Sequence, residues 1–128
     1  MLTQIKQLEF DTLVTLEEKF EYAKSMHALA KFEEGLSYFR ILKTEYETIK
    51  HYDRVLDCLG WICQSLANLG RVKELYNYMP EYKSMCNEHG NELNQLKLNV
   101  YLAFISSSIG DESSAISYYQ DAITMAKK

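Results

Sequence analysis

Each landmark of this chain returns after 40 residues: Leu16, Leu56 and Leu96 fall in register, as do Tyr38, Tyr78 and Tyr118. Leu29, Leu69 and Ile109 coincide as well, each followed by a small turn residue, Ala30, Gly70 or Gly110, and a further small residue recurs at Ala23, Cys63 and Ala103. A fixed period of this size marks a stacked repeat protein, because one short unit cannot bury its apolar face alone and neighbours must cover it. With five glycines and one proline in 128 residues, the chain lacks the turn residues that an all-β fold would need. The repeating unit is therefore helical.

The apolar spacing predicts two helices per unit. In the last unit Leu93, Leu96, Val100, Leu102, Ala103 and Ile109 form a stripe that ends at Gly110, and Asp111 caps a second helix bearing Ala115, Ile116, Tyr119, Ala122, Ile123 and Ala126. The middle unit predicts helices from Asp53 to Leu69 and from Val72 to Asn87, and the first predicts them from Thr12 to Leu29 and from Phe32 to Ile49. His89-Gly90-Asn91 is a stop-and-cap signal. Leu2, Ile5 and Leu8 support a lead-in helix over 1–10, followed by units 11–50, 51–90 and 91–128 of a single domain. Pro80 falls inside a helix, where it removes a backbone donor, so a kink or restart is expected at Met79-Pro80.

Charge and composition narrow the partners. A net charge of −4 argues against nucleic acid, which requires a basic face. No run approaches the ~18 apolar residues of a membrane span, and the N-terminus lacks the pattern of a signal peptide. Cys58, Cys63 and Cys86 are odd in number and sparse, which reads as reduced, mostly buried thiols in a cytoplasmic protein. Cys58 and Cys63 point in different directions on one helix, and His27, His51 and His89 do not pair with them at metal-ligand spacing. Ser106-Ser107-Ser108 has no glycine elbow or nearby histidine, so neither a cofactor nor an enzymatic activity is expected. Glu17-Glu18 and Glu33-Glu34 read as solvated faces and first-turn charges that complement the helix dipole.

Asn99-x2-Leu102-Ala103-x2-Ser106, then Gly110-Asp111, then Ala115-x3-Tyr119-x2-Ala122 resembles the tetratricopeptide repeat. Leu59-x2-Ile62-Cys63-x2-Leu66 with Leu75-x3-Met79, and Lys19-x2-Tyr22-Ala23-x2-Met26 with Phe32-Glu33-Glu34-Gly35-x3-Phe39-x2-Leu42, follow the same plan. The period is 40 residues rather than the family's 34, and the usual closing proline is absent. Lengthened repeats of this kind are similar to those of bacterial regulatory and signalling proteins. The resemblance implies an all-α fold of three antiparallel helix pairs stacked as a right-handed superhelix, an α-solenoid that binds a protein or peptide segment in its concave face.

By the same resemblance, the first helices line that face. It would present Glu17, Phe20, Lys24 and His27, then Asp57, Gly60, Gln64 and Asn68 with Trp61 at the margin, then Lys97, Val100, Phe104 and Ser108 with Tyr101 alongside. Phe20, Val100 and Phe104 either contact a ligand or are packed by a neighbouring helix. The positions of the carboxylate clamp found in chaperone-binding members hold Phe20, Gly60 and Val100, so that activity does not carry over. An alternative reading makes the chain a regulatory or sensor segment of a larger bacterial signalling or transcription-regulating protein. The last helix keeps Ile116, Tyr119 and Ile123 on the side a further unit would cover, whereas Ile123 is matched by Lys43 and Lys83 in the earlier units. Self-association or a next-repeat contact is expected there, giving a possible homo-oligomer.

Overall fold

The computed structural model describes residues 10, 13 and 15–127. Among them the chain forms six α-helices: α1 (Leu16–Ala28), α2 (Phe32–Thr48), α3 (Tyr52–Asn68), α4 (Val72–His89), α5 (Glu92–Ser108) and α6 (Glu112–Ala126). Their boundaries follow the period of the sequence. Second helices begin at 32, 72 and 112, and first helices end at 28, 68 and 108. Helices adjacent in sequence pack together, α1 on α2, α4 on α5 and α5 on α6, which is the sequential pairing of a helical repeat. The chain divides into two compact units, Met1–Ser65 and Leu66–Lys128.

The turns explain the periodic small residues. Ala30, Gly70 and Gly110 all adopt left-handed backbone, with φ of 60, 70 and 83°. In each turn the following amide reaches back to the third residue from the helix end: Lys31 N to Met26 O, Arg71 N to Leu66 O, and Asp111 N to Ser106 O, at 2.8, 2.9 and 2.8 Å. The left-handed residues themselves donate to His27 O, Ala67 O and Ser107 O. This double closure is the Schellman motif, which satisfies the carbonyls a helix would otherwise leave unbonded. A fourth closure, Lys50 N to Glu47 O and His51 N to Tyr46 O, puts Lys50 at φ 59° without any glycine to announce it.

Some helix starts carry side-chain caps, whereas the helices that follow Lys31 and Arg71 begin without one. Asp111 accepts from Ser114 N, and Asn91 and Asn94 each accept from the other's backbone amide. The first helix begins at Leu16 rather than at the expected Thr12. Thr15 is the cap, its Oγ1 accepting from Glu18 N at 3.1 Å. The Thr15-x-x-Glu18 spacing carries that signal, and the apolar stripe drew the expected boundary past it. The end of α4 also moves, from Asn87 to His89.

Pro80 produces no restart: α4 runs through it from Val72 to His89. The donor it removes would have bonded the carbonyl of Tyr76, one turn earlier. Both residues are exposed, so water reaches that side of the helix and the missing bond is tolerated.

In the first unit Phe20, Ala23, Leu36, Phe39, Leu42, Tyr46, Leu59 and Ile62 form the core. Helices α1 and α2 approach closely at Gly35, where an added Cβ would lie 3.6 Å from the Ala23 carbonyl oxygen. Tyr38 is buried and stacks on Phe10 at 4.4 Å. The rest of the expected lead-in helix, residues 1–9, lies outside the described residues. In the second unit Leu66, Leu75, Tyr82, Leu98, Ala103, Ala115 and Ala122 are buried. Asn99 and Met125 face each other across α5 and α6, with Nδ2 and Sδ 3.6 Å apart, and Ala103 lies one turn along the same face as Asn99.

Gly110→Ala places a Cβ in left-handed backbone with no neighbouring atom to relieve it. It should lower unfolding stability by about 1 kcal/mol, read from the urea midpoint with an unchanged denaturant slope.

Candidate functional site

In the first unit, residues on α1 and α3 build one face. Arg54 is its organiser. Its Nε and Nη2 donate to the two carboxylate oxygens of Glu17 at 3.0 and 2.6 Å, and its Nη1 donates to Asp57 Oδ2 at 2.9 Å. The guanidinium carbon sits 4.3 Å from the centroid of the Phe20 ring, with Lys24 Nζ at 5.4 Å from the same ring. Tyr46 completes the arrangement by donating its hydroxyl to Glu17 Oε1 at 2.9 Å.

One turn and more along, Trp61 stacks on Phe39 at 5.6 Å with the planes 5° apart. The His27 ring stands edge-on between Trp61 at 4.8 Å and Phe32 at 4.9 Å. Its buried Nδ1 has no hydrogen-bond partner among the described residues. The candidate residues Glu17, Phe20, Lys24, His27, Asp57 and Trp61 are thus brought together. Phe20 is only 2% exposed, so it supports Arg54 and Lys24 from beneath. Gln64 is half-buried on the same helix.

The charges follow this geometry. The bidentate bond from Arg54 holds the Glu17 carboxyl below its ordinary range, and the guanidinium is in turn held protonated by Glu17. Burial, followed by the bond to Glu17, raises the Tyr46 phenol. Burial alone lowers the His27 imidazole, which is therefore neutral in the fold at pH 7. The three cysteines are free and buried, and desolvation pushes the Cys58 and Cys86 thiols up to about 12 and about 11, leaving them protonated and unreactive.

In the second unit, Asn68 and Ser108 are exposed near the ends of α3 and α5, and Ser108 Oγ donates to the Phe104 carbonyl at 2.8 Å. Lys97, Val100 and Phe104 are half-buried along α5. Tyr101 is buried edge-on to Tyr82, with centroids 6.0 Å apart. On α6, Ile116, Tyr119 and Ile123 are 56, 42 and 54% exposed.

Arg54 was not among the residues singled out from the sequence. Its spacing from Asp57 and Trp61, three and seven residues on one helix face, was the available signal. Glu17, read there as a solvated first-turn charge, is exposed and is also tied to Arg54 and Tyr46, while Glu18 serves the cap. No group of three His, Cys, Asp or Glu among the described residues could hold a metal ion, and no described helix is long and apolar enough to cross a membrane. Comparisons with family models, curated proteins and solved structures find no match to the chain.

Burial gives His27 a testable signature. Because its folded value is depressed, its contribution to stability is full above the unfolded pKa of about 6.5 and is lost as pH falls through the folded value. The fluorescence of Trp61, the one tryptophan, should change with a midpoint below 6.5, and His27→Gln should remove that transition. A midpoint at or above 6.5 would contradict a desolvated imidazole.

Proposed function

We propose that this chain is a tetratricopeptide-like interaction module that takes a peptide or a partner's helix along the faces of its first helices. The observation that carries the reading is the α1/α3 face of the first unit. There Arg54, Glu17 and Asp57 hold one another over Phe20, and Trp61 and His27 continue the surface. An exposed ion pair contributes at most about 1 kcal/mol to stability. Such a network matters more for fixing side chains in advance, which lowers the ordering cost of binding. Aromatic rings beside fixed charges and amides suit recognition of an extended or helical segment. In the tetratricopeptide-like reading, Lys97, Val100, Phe104 and Ser108 are the first-helix residues of the second unit that correspond to this face by register.

Photo-crosslinking phenylalanine analogues placed at Lys24, Gln64 or Lys97 of the full chain should capture the same protein from cell extract. Trp61→Ala and Phe104→Ala should each weaken its binding at least tenfold, about 1.4 kcal/mol. Equal capture from Ser84, exposed on α4, would sink the assignment.

The last helix supports a second contact of the same module. Tyr119 corresponds by period to Phe39, which is fully buried and stacked on Trp61, and to Met79, which is also buried. In the proposed module, α6 is covered by a second copy through Ile116, Tyr119 and Ile123. Full burial of one isoleucine is worth roughly 1.5–3 kcal/mol. Sedimentation equilibrium should detect a dimer that Ile123→Lys weakens; a monomer at millimolar concentration, unaffected by the substitution, would refute it.

A further inference from the structure

The second unit carries a different surface, on the neighbouring stripe of α5. Leu98, Leu102, Ile105 and Ile109 are spaced four, three and four residues apart, so they fall on one helix face, away from Lys97, Phe104 and Ser108. Two apolar cavities lie along this stripe. One, of about 340 Å³, is bounded by α4 through Met79 and Pro80, by α5 through Leu98 and Leu102, and by Tyr118 of α6. The other, of about 500 Å³, lies between Val72 of α4 and Ile105 and Ile109 of α5. Tyr76 lines both, so the two cavities adjoin at its side chain along one α4/α5 groove. The residues at its edge are conspicuously apolar for a surface: Tyr76 is 61% and Ile109 71% exposed.

The charges of this groove are one-sided. In a chain of net charge −4, the only charged residues among the described residues that line it are Lys73 and Lys83, and no described carboxylate does so. Both lysines are exposed, and neither makes a hydrogen bond or ion pair among the described residues. They stand ten residues apart on α4, about 15 Å along its axis. The groove is thus an apolar track with a free cation toward each end. Pro80 lies between them and adds a polar feature: with no amide hydrogen at position 80, the Tyr76 carbonyl lacks its usual helix donor.

We propose that this groove docks a short acidic–hydrophobic segment of another protein, about three helical turns long, with apolar side chains in the two cavities and carboxylates paired to Lys73 and Lys83. Charge complementarity selects this occupant. A basic segment would meet two cations in the groove, and two lysines on an acidic chain attract an anionic lipid surface poorly. The groove is independent of the α1/α3 face, so its test stands apart from the test of that face.

The experiment uses two 14-residue synthetic helices with the same leucine and phenylalanine stripe, one flanked by glutamates and one by lysines, each titrated into the ¹⁵N-labelled full chain. The acidic probe should bind at least tenfold more tightly, with amide shifts concentrated in residues 72–83 and 98–109. Tyr76→Glu should abolish that binding while leaving the circular dichroism spectrum unchanged, since Tyr76 is exposed. The double variant Lys73→Glu, Lys83→Glu should reverse the preference in favour of the basic probe, an outcome that a misfolded variant could not produce. Equal affinities, shifts centred on other residues, an unreversed preference, absence of binding, or association with phosphatidylglycerol vesicles in place of the acidic probe would each overturn the proposal.

Discussion

The close approach of paired helices is the constraint on which the rest of this structure depends. At Gly35 the backbones of α1 and α2 come near enough that an added Cβ would touch the Ala23 carbonyl at ordinary contact distance. Ala23 is fully buried. Small side chains at such a crossing bring the neighbouring large ones into register, and Phe20, Phe39 and Tyr46 pack edge to face beside it, with centroids 5.7 and 6.5 Å from Phe20. In the second unit Ala103, Ala115 and Ala122 are the buried small residues of the α5/α6 pair. The left-handed turns at Ala30 and Gly110 are the backbone condition for these pairs, because they return the chain after a single residue beyond the helix cap.

That constraint also explains which features were legible in the sequence. A period of 40 residues fixed the ends of α1, α3 and α5 and the starts of α2, α4 and α6, since the turn between paired helices has the same chemistry each time. Lys50 escaped notice because a lysine in left-handed backbone has no sequence mark; its strain, roughly 1–2 kcal/mol, is offset by closure bonds visible only in three dimensions. Pro80 misled in the opposite sense. Local propensity foresees a kink or a restart, but the residue one turn earlier, Tyr76, is exposed to water, and the helix continues without a restart. The candidate face was legible in part. The resemblance to the tetratricopeptide repeat placed Glu17, Lys24 and His27 on one face, but the residue that joins them to α3 is Arg54, 37 positions from Glu17 and unmatched by the repeat.

The Arg54 arrangement shows how one unit departs from the repeat without losing its frame. Its counterpart one period later is Asn94, which serves as a cap by accepting from Asn91 N and has no guanidinium to bridge helices. Glu17 corresponds to Asp57, and Phe20 to Gly60, so no second ring waits beneath a second cation. The positions that set helix pairing stay small or apolar across the period, while the exposed first-helix positions diverge. A surface varied on a fixed frame is what recognition of an irregular partner requires, since a strictly repeated surface would present the same chemistry at every step.

Helix α5 carries the same logic to three sides. Asn99 and Ala103 face α6, Leu98, Leu102 and Ile105 line the apolar groove beside α4, and Lys97, Phe104 and Ser108 occupy the remaining stripe. A helix with apolar character on two of three sides has little amphipathic contrast, so the stripe read from its spacing mixed these sides, and its ends Leu93 and Ile109 are exposed. The groove came into view only when α4 and α6 were placed beside it. Its exposed apolar edge would be a solubility liability if it had no role, since residues such as Tyr76 and Ile109 gain nothing from water. The two lysines answer that difficulty: unpaired cations at intervals along an apolar track repel a second copy of the same track while leaving it open to a segment of opposite charge.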